Sequence, residues 1–385
     1  DSVVKPGQSV AITAGSRGIA NIPIILKGIV DHFKSLGAKP FIVPAMGSHG
    51  GGTVEGQLKL LASMGVTEES TGAPFKATME TVVVAETSSG IPVHFDRHAS
   101  EADHVFVCNR VKPHTRFVGP IESGLHKMML IGLGKHEGAR IYHRGILTTS
   151  FTEILESVAA RVLEVCRVVG GLAIIENARD ETALLEAVPP AGFASREPEL
   201  LKLANEWLPR LPFEEIDILI VDRIGKNISG VGMDANTVGR KFNDHLGTER
   251  DLARCRRIIV RSLTPETHGN ATGIGMAEYT TRRCVEQIDA EITRINCMTG
   301  LHPEAAMIPI TLENDEKAVE AALQTIGLIE PQNARVVQIA DTLHLTRVRV
   351  SEACFDEVRQ RPNLEFSGEP YHFPLQNGWL SDVAH

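Results

Sequence analysis

The sequence predicts an α/β protein of two domains with largely parallel sheets and an active site in the cleft between them. Three observations carry that prediction. At 385 residues the chain exceeds the size at which one hydrophobic core stops growing, so two cores are expected. It opens with a short apolar run, a stretch of helical apolar period and a second apolar run, the pattern of a strand, a crossover helix and a parallel strand. The same logic restarts at Ile216-Asp-Ile-Leu-Ile-Val221, after Pro209, Pro212 and the acidic pair Glu214-Glu215. The boundary is therefore placed there, with an N-terminal domain over 1–213 and a C-terminal domain over 214–385.

Each element follows from local pattern. Ser9-Val-Ala-Ile-Thr13 reads as a buried strand. Pro23 suits a first helical turn, and Ile24, Ile25, Ile29, Val30 and Phe33 recur with helical period until Gly37 stops the helix. Pro40-Phe-Ile-Val-Pro44 is the next strand. The loop after it, 45–53, has three consecutive glycines and feeds a helix over 53–64 that Thr53 and Glu55 cap and Gly65 ends. Val82-Val-Val84 and Ile91-Pro-Val93 flank Thr87-Ser-Ser-Gly90 as a hairpin-like excursion, and a strand over 103–108 follows. Ile154, Leu155, Val158, Val162 and Val165 mark an amphipathic helix over 152–165. A strand over 171–175 and short helices over 181–188 and 200–208 complete the first half. In the second half, 257–260 is a strand, 278–294 a helix, and 336–339 and 346–350 are the closing strands. The loop 225–240, which follows the strand 216–221, is too long and polar for a minimal connection, which marks it as functional.

Composition excludes several function classes. A net charge of −9 opposes a protein built to hold nucleic-acid backbone, which needs a basic face. No apolar run reaches the roughly 18 residues of a membrane span, and no signal-peptide pattern opens the chain. The first residue is Asp1 rather than Met, so part of a native N-terminus is expected to precede it. Six scattered cysteines without a C-x-x-C pair are the usage of a reducing cytoplasm.

Chemistry concentrates between Asn109 and His143. The stretch holds His114, His126, His136 and His143, together with glycines at 119, 124, 132, 134 and 138, directly after a strand. Open α/β sheets bind ligands beyond the carboxyl ends of their strands. His49 and His114 each sit just past a separate strand, and two imidazoles facing one pocket can act as base and acid near neutral pH. Lys127 precedes an apolar run, Met128-Met-Leu-Ile131, and a partly desolvated lysine becomes a nucleophile; the commoner role of such a lysine is to snorkel from a helix end. His126 and His136 read as structural. Gly50 and Gly51 lie in a strand-to-helix loop able to offer N–H groups to an anion, although its spacing is neither G-x-G-x-x-G nor a Walker A. No H-E-x-x-H, Cys/His cluster or G-x-S-x-G is present, which disfavours standard hydrolase machinery.

With these residues assembled, the chain resembles the nickel-dependent lactate racemase superfamily, most strongly between Ser9 and Leu147. Lys127 and His143 match the spacing of the family's cofactor-bearing lysine and nickel-binding histidine. Gly47-Ser48-His49 matches the loop of one catalytic histidine, Pro113-His114 that of the other, and Arg17 the arginine that holds the substrate carboxylate. The chain departs from the pattern in Ala14-Gly-Ser-Arg17, which lacks the family's acidic residue, and in Ser123-Gly-Leu-His-Lys127. The family's substrate-binding glutamine and lysine have no residue-by-residue counterpart in the C-terminal loop 234–241.

The resemblance implies a two-domain fold and a racemase or epimerase of a 2-hydroxy acid other than lactate, working by hydride transfer with a nickel-pincer nucleotide. It casts His49 and His114 as acid and base, Arg17 as carboxylate clamp, Lys127 as tether and His143 as nickel ligand. Arg240 is added as a second clamp, and Gly50, Gly51 and Lys135 as partners of the cofactor. Competing classes are a metal-dependent hydrolase or lyase using the same histidines and a non-catalytic nucleotide-binding protein. The expected partner is a small 2-hydroxy acid, with no nucleic acid or membrane, and the oligomeric state stays open.

Overall fold

The computed structural model describes residues 3–384 apart from 17, 116–117, 146–149 and 241–252, and gives the backbone alone at 143 and 144. Arg17 and the His143 side chain therefore lie outside the described residues. Two compact units divide between Trp207 and Leu208.

In the first unit, β1 (Ser9–Ala14), α1 (Ile22–Ser35) and β2 (Lys39–Pro44) form the expected βαβ unit, with the strands parallel from Ser9 opposite Lys39 to Ala14 opposite Pro44. α1 turns Ile22, Ile25, Leu26, Ile29, Val30 and Phe33 inward onto Val10, Ile12 and Ile42. Each such side chain stabilises the unit by about 1.5–3 kcal/mol. Ile24, counted in the apolar stripe, faces outward instead. α2 (Val54–Ser63) is capped by Thr53, whose hydroxyl accepts the Gly56 N–H at 3.1 Å. α3 (Glu68–Thr71), the antiparallel pair β3 (Thr81–Glu86) and β4 (Pro92–Asp96), and α4 (Arg97–Glu101) lead to β5 (His104–Arg110). α5 (Gly124–Lys127), a π-helical turn at Met128–Gly132, α6 (Lys135–Gly145) and α7 (Phe151–Val165) follow. β6 (Val168–Glu176), β7 (Thr182–Val188) and α8 (Phe193–Glu206) complete the unit.

One element changes type. The stretch 181–188, expected to be helical, is β7. Asp180, at a left-handed φ of 54°, turns the chain back so that β7 pairs antiparallel with β6. Leu184, Leu185 and Ala187 favour helix weakly, and cross-strand pairing overrides that preference.

Among the described residues the sheet runs β2-β1-β5-β6-β7. The chain steps from β1 to β2 on one side and later to β5 on the other, both parallel to β1. Strand order therefore reverses between β1 and β5, and the crevice beyond their carboxyl ends is where such sheets bind ligands.

The second unit contains β8 (Glu215–Val221), α9 (Ala235–Val238), β9 (Arg254–Val260), β10 (Tyr279–Thr281), α10 (Arg282–Val285), α11 (Ala290–Thr299), β11 (Ile310–Leu312) and α12 (Asp315–Leu323). β12 (Val336–Ile339), β13 (Val348–Val350), α13 (Phe355–Gln360) and the pair β14 (Leu375–Gln376) and β15 (Trp379–Leu380) close it. Its sheet runs β11-β10-β9-β8-β12-β13, parallel except for β13. The helix expected over 278–294 is instead β10 followed by two short helices. Tyr279, Thr280 and Thr281 suit a strand, and the Thr281 hydroxyl accepts the Cys284 N–H at 3.2 Å to start α10. Arg261, 1% exposed, is matched by Asp222 at 2.5 Å and by Asp315 and Asp382 at 2.8 Å. All six cysteines are free thiols. No helix among the described residues is long and apolar enough to cross a membrane.

Candidate functional site

Three loops leave the carboxyl ends of β2, β1 and β5 on the same edge of the first sheet. His49 lies in the first, just before the glycines, and is exposed. Its Nδ1 lies 2.5 Å from the Ser16 hydroxyl of the β1 loop, so the two loops are tied across the strand ends. Ser16 stood in the quoted Ala14-Gly-Ser-Arg17 segment, but nothing in the sequence paired it with His49. The β1 loop is fixed a second time by the Ala20 N–H, which donates to Glu176 at 2.5 Å. Glu176 also holds Arg110 at the end of β5.

His114 sits half-buried beyond β5. Its backbone N–H donates to the Glu122 carboxylate at 2.7 Å, and Gly119 N–H donates to the other oxygen at 3.1 Å. Glu122 is itself buried, and it shapes the loop that presents His114. The Phe151 ring lies beside the imidazole with centroids 6.1 Å apart.

The stretch from α5 to α6 runs across these same strand ends. The Asn109 amide at the end of β5 donates to the Gly124 carbonyl at 2.7 Å. A Cβ on Gly15 of the β1 loop would stand 3.2 Å from the Met128 methyl, and one on Gly132 would stand 2.8 Å from the Ala45 carbonyl of the β2 loop. Only a residue without a side chain allows that last approach. Lys127, half-buried at the end of α5, immediately precedes Met128. His126, the residue before it, points inward and pairs with buried Glu197, as its structural reading requires.

Two expected roles meet other partners. Lys135 was a candidate cation for a cofactor phosphate; the structure turns it inward instead. Its ammonium is wholly buried, 2.8 Å from the equally buried Asp96 at the end of β4, and it donates to the Pro44 carbonyl at the end of β2. Burial is the main influence on this lysine and draws its pKa below the ordinary 10.5, while Asp96 pulls it upward. Its backbone holds a left-handed φ of 54°, a strain kept because the surroundings fix it. Arg240, expected as a second substrate clamp, donates to the Met276, Cys255 and Arg256 carbonyls and to Glu278 at 2.5 Å. Its fork is thus engaged in tying the second unit together.

Gly50, Gly51 and Gly52 all hold left-handed φ, of 66°, 68° and 64°. A Cβ on Gly50 would come within 2.6 Å of the Gln57 nitrogen, whereas Gly51 faces open space. Gly50→Ala is expected to destabilise the first unit by about 1–3 kcal/mol, through strain and overpacking; urea denaturation followed by far-UV circular dichroism checks it. Beside Gly52 stands the exposed His136, whose Nδ1 would lie 3.7 Å from a Cβ there. Among the described residues no group of three or more His, Cys, Asp or Glu is placed to hold a metal ion. His143 falls in α6 with its side chain outside the description.

Comparison with known proteins gives a likeness for the N-terminal part of the chain and for the fold. No curated protein matches the chain. Among solved structures, the lactate racemase apoprotein from Thermoanaerobacterium thermosaccharolyticum matches with a TM-score of 0.56 at 12% identity, over 89% of this chain and 87% of that one. A crystal structure of a Thermotoga maritima protein matches with a TM-score of 0.51 at 13% identity, over 88% of this chain and 93% of that one. Identities this low speak for the fold alone. The family description comes from the sequence itself, where residues 1–153 match the lactate racemase N-terminal domain. Residues 1–153, which hold the His49, His114 and Lys127 loops, therefore match the lactate racemase N-terminal domain, and the chain as a whole shares the fold of the lactate racemase apoprotein.

Proposed function

We propose that this protein is a cytoplasmic racemase or epimerase of a 2-hydroxy acid other than lactate, served by a nickel-pincer nucleotide. The observation that carries the reading is the meeting of the His49 loop, the β1 loop and the Lys127 segment over the strand ends of the first sheet. Lys127, half-buried at the end of α5, would supply an amine for the tether, and by the family pattern His143 would be the nickel ligand. Gly51, which faces open space, leaves backbone room for a phosphate, with His136 beside Gly52 rather than the buried Lys135 as the neighbouring side chain.

Racemising a 2-hydroxy acid is hard because the Cα–H lies beside a carboxylate and is too weakly acidic for ordinary deprotonation. When bound, the cofactor supplies an acceptor for that hydrogen as hydride. The protein's part is then to move the hydroxyl proton and hold the substrate still. His49, whose Nδ1 lies 2.5 Å from the Ser16 hydroxyl, is oriented by that contact at the strand ends, where an imidazole can take the hydroxyl proton. His114 does the same from the other face, so that either enantiomer meets a base. Arg17 clamps the carboxylate with its planar fork of donors. Arg240 is left out of the substrate set because its donors are engaged elsewhere.

The test is peptide mass mapping of cofactor-loaded protein, together with chiral chromatography of a panel of 2-hydroxy acids. A nickel-bearing adduct is expected on Lys127, absent from Lys127→Ala, together with interconversion of the enantiomers of at least one acid. An adduct on another lysine, or a loaded protein that interconverts none of the panel, would overturn the reading.

A further inference from the structure

Arg110 is the last residue of β5 and stands at the reversal of strand order between β1 and β5. The β1 loop runs beside it. Glu176, which takes one nitrogen of the Arg110 guanidinium, also accepts the Ala20 N–H at 2.5 Å, and Ser16 of that same loop touches His49. The side chain is held but not used up. Arg110 is only 16% exposed and Glu176 5%, so the pair is built into the sheet edge rather than laid on the surface. Glu176 engages one terminal nitrogen, and the remaining N–H groups of the fork meet no acceptor among the described residues. The structural arginines of the second unit behave differently. Arg240 gives its fork to three carbonyls and Glu278, and Arg261 gives its fork to Asp222, Asp315, Asp382 and the Leu380 carbonyl. A mostly buried guanidinium, oriented by one carboxylate and left with open donors, is arranged to receive an oxyanion.

We infer that Arg110 binds a second carboxylate of the substrate, which makes the 2-hydroxy acid a dicarboxylic one. The inference rests on the reading above, in which Arg17 takes the first carboxylate. The other oxyanion in play is the cofactor phosphate, but the glycine loop with room for it leaves β2, on the far side of β1 from β5 and β6. The two anions are thereby given opposite ends of the crevice. Glu176 does not forbid a second anion beside it, because it lies against the positive N-terminal end of α1 and its charge is matched by Arg110. A substrate with an apolar tail would leave the Arg110 donors covered and without acceptors, a penalty that a carboxylate removes.

Isothermal titration calorimetry of the full chain without cofactor tests the inference, with succinate and butyrate as probes of equal carbon number. Wild type is expected to bind succinate about tenfold more tightly than butyrate, the low end of what one charge-assisted hydrogen bond contributes. Arg110→Gln combined with Glu176→Gln leaves no lone charge inside and should abolish the preference. Should that pair misfold, Arg110→Lys decides the matter: its ammonium stays with Glu176 but the fork is lost, and the preference should fall. Equal binding of the two acids, binding of neither, or a preference that survives in a folded variant overturns the inference. Inorganic phosphate bound through Arg110 more tightly than succinate also overturns it, by assigning the residue to the cofactor. In loaded protein, kcat/KM for a 2-hydroxy dicarboxylic acid should exceed that for its monoamide, and Arg110→Lys should narrow the gap through KM. A loaded protein that turns over no acid while the succinate preference stands would remove the racemase reading and leave the Arg110 site in place.

Discussion

His49→Asn and His114→Asn are each expected to lower kcat/KM for racemisation by about 10²–10⁴, the usual contribution of a positioned acid or base. The loss must be equal in both directions. Enantiomers have the same free energy, so the equilibrium constant is one and the two kcat/KM values are bound together. The variants should separate only in the half-reactions. If His49 serves one face and His114 the other, each variant will release 2-keto acid from one enantiomer and not from its mirror image. The losses fall on opposite enantiomers in the two variants. Asparagine keeps a polar group of similar reach but cannot take up a proton at neutral pH. Rapid quench with a keto-acid trap, run separately on each pure enantiomer, reads this directly. Two variants that lose the same half-reaction would remove the two-base assignment while leaving the family likeness intact.

Lys135→Met is expected to cost the first unit about 3–5 kcal/mol, because it leaves the Asp96 charge buried without a partner. Lys135→Met combined with Asp96→Asn should recover most of that loss. No charge then remains inside, and asparagine keeps the cap that Asp96 makes to the Ala99 N–H at 2.8 Å. The pair joins the end of β2, which delivers the His49 loop, to the end of β4 and the start of α6. The pH dependence has a definite sign. The folded lysine's pKa lies below 10.5, mainly through burial, so just below that pH the unfolded chain binds more protons than the folded one. Stability attributable to Lys135 therefore rises with pH across the interval from its lowered pKa to the ordinary value. Urea titrations over that interval should show wild type gaining on the double variant as pH increases. A double variant as unstable as Lys135→Met would mean that packing, not charge, sets the cost.

Much of the scaffold was legible because it rests on local pattern. The α1 stripe, the Thr53 cap and the hairpin around 87–90 were read where they occur, since periodicity and turn residues act over a few positions. In the two misread stretches, residues 182–188 and 279–281 became strands whose neighbours lie far along the chain or across a turn. Their residues tolerate either conformation, and pairing made the choice.

The sequence by itself determined the α/β alternation, the two-domain division and the clustering of histidine, lysine and glycine beyond β5, because these are written in residue order. The tertiary structure alone decided which groups meet. It laid Ser16 against His49, placed Glu122 behind His114, drew the Lys127 segment over the ends of β1 and β2, and sent Lys135 and Arg240 to buried or structural partners. The physical reason is that a long charged or polar side chain goes wherever its hydrogen bonds and ion pairs can be completed. The partners that complete them come from strands adjacent in the sheet and distant in the chain.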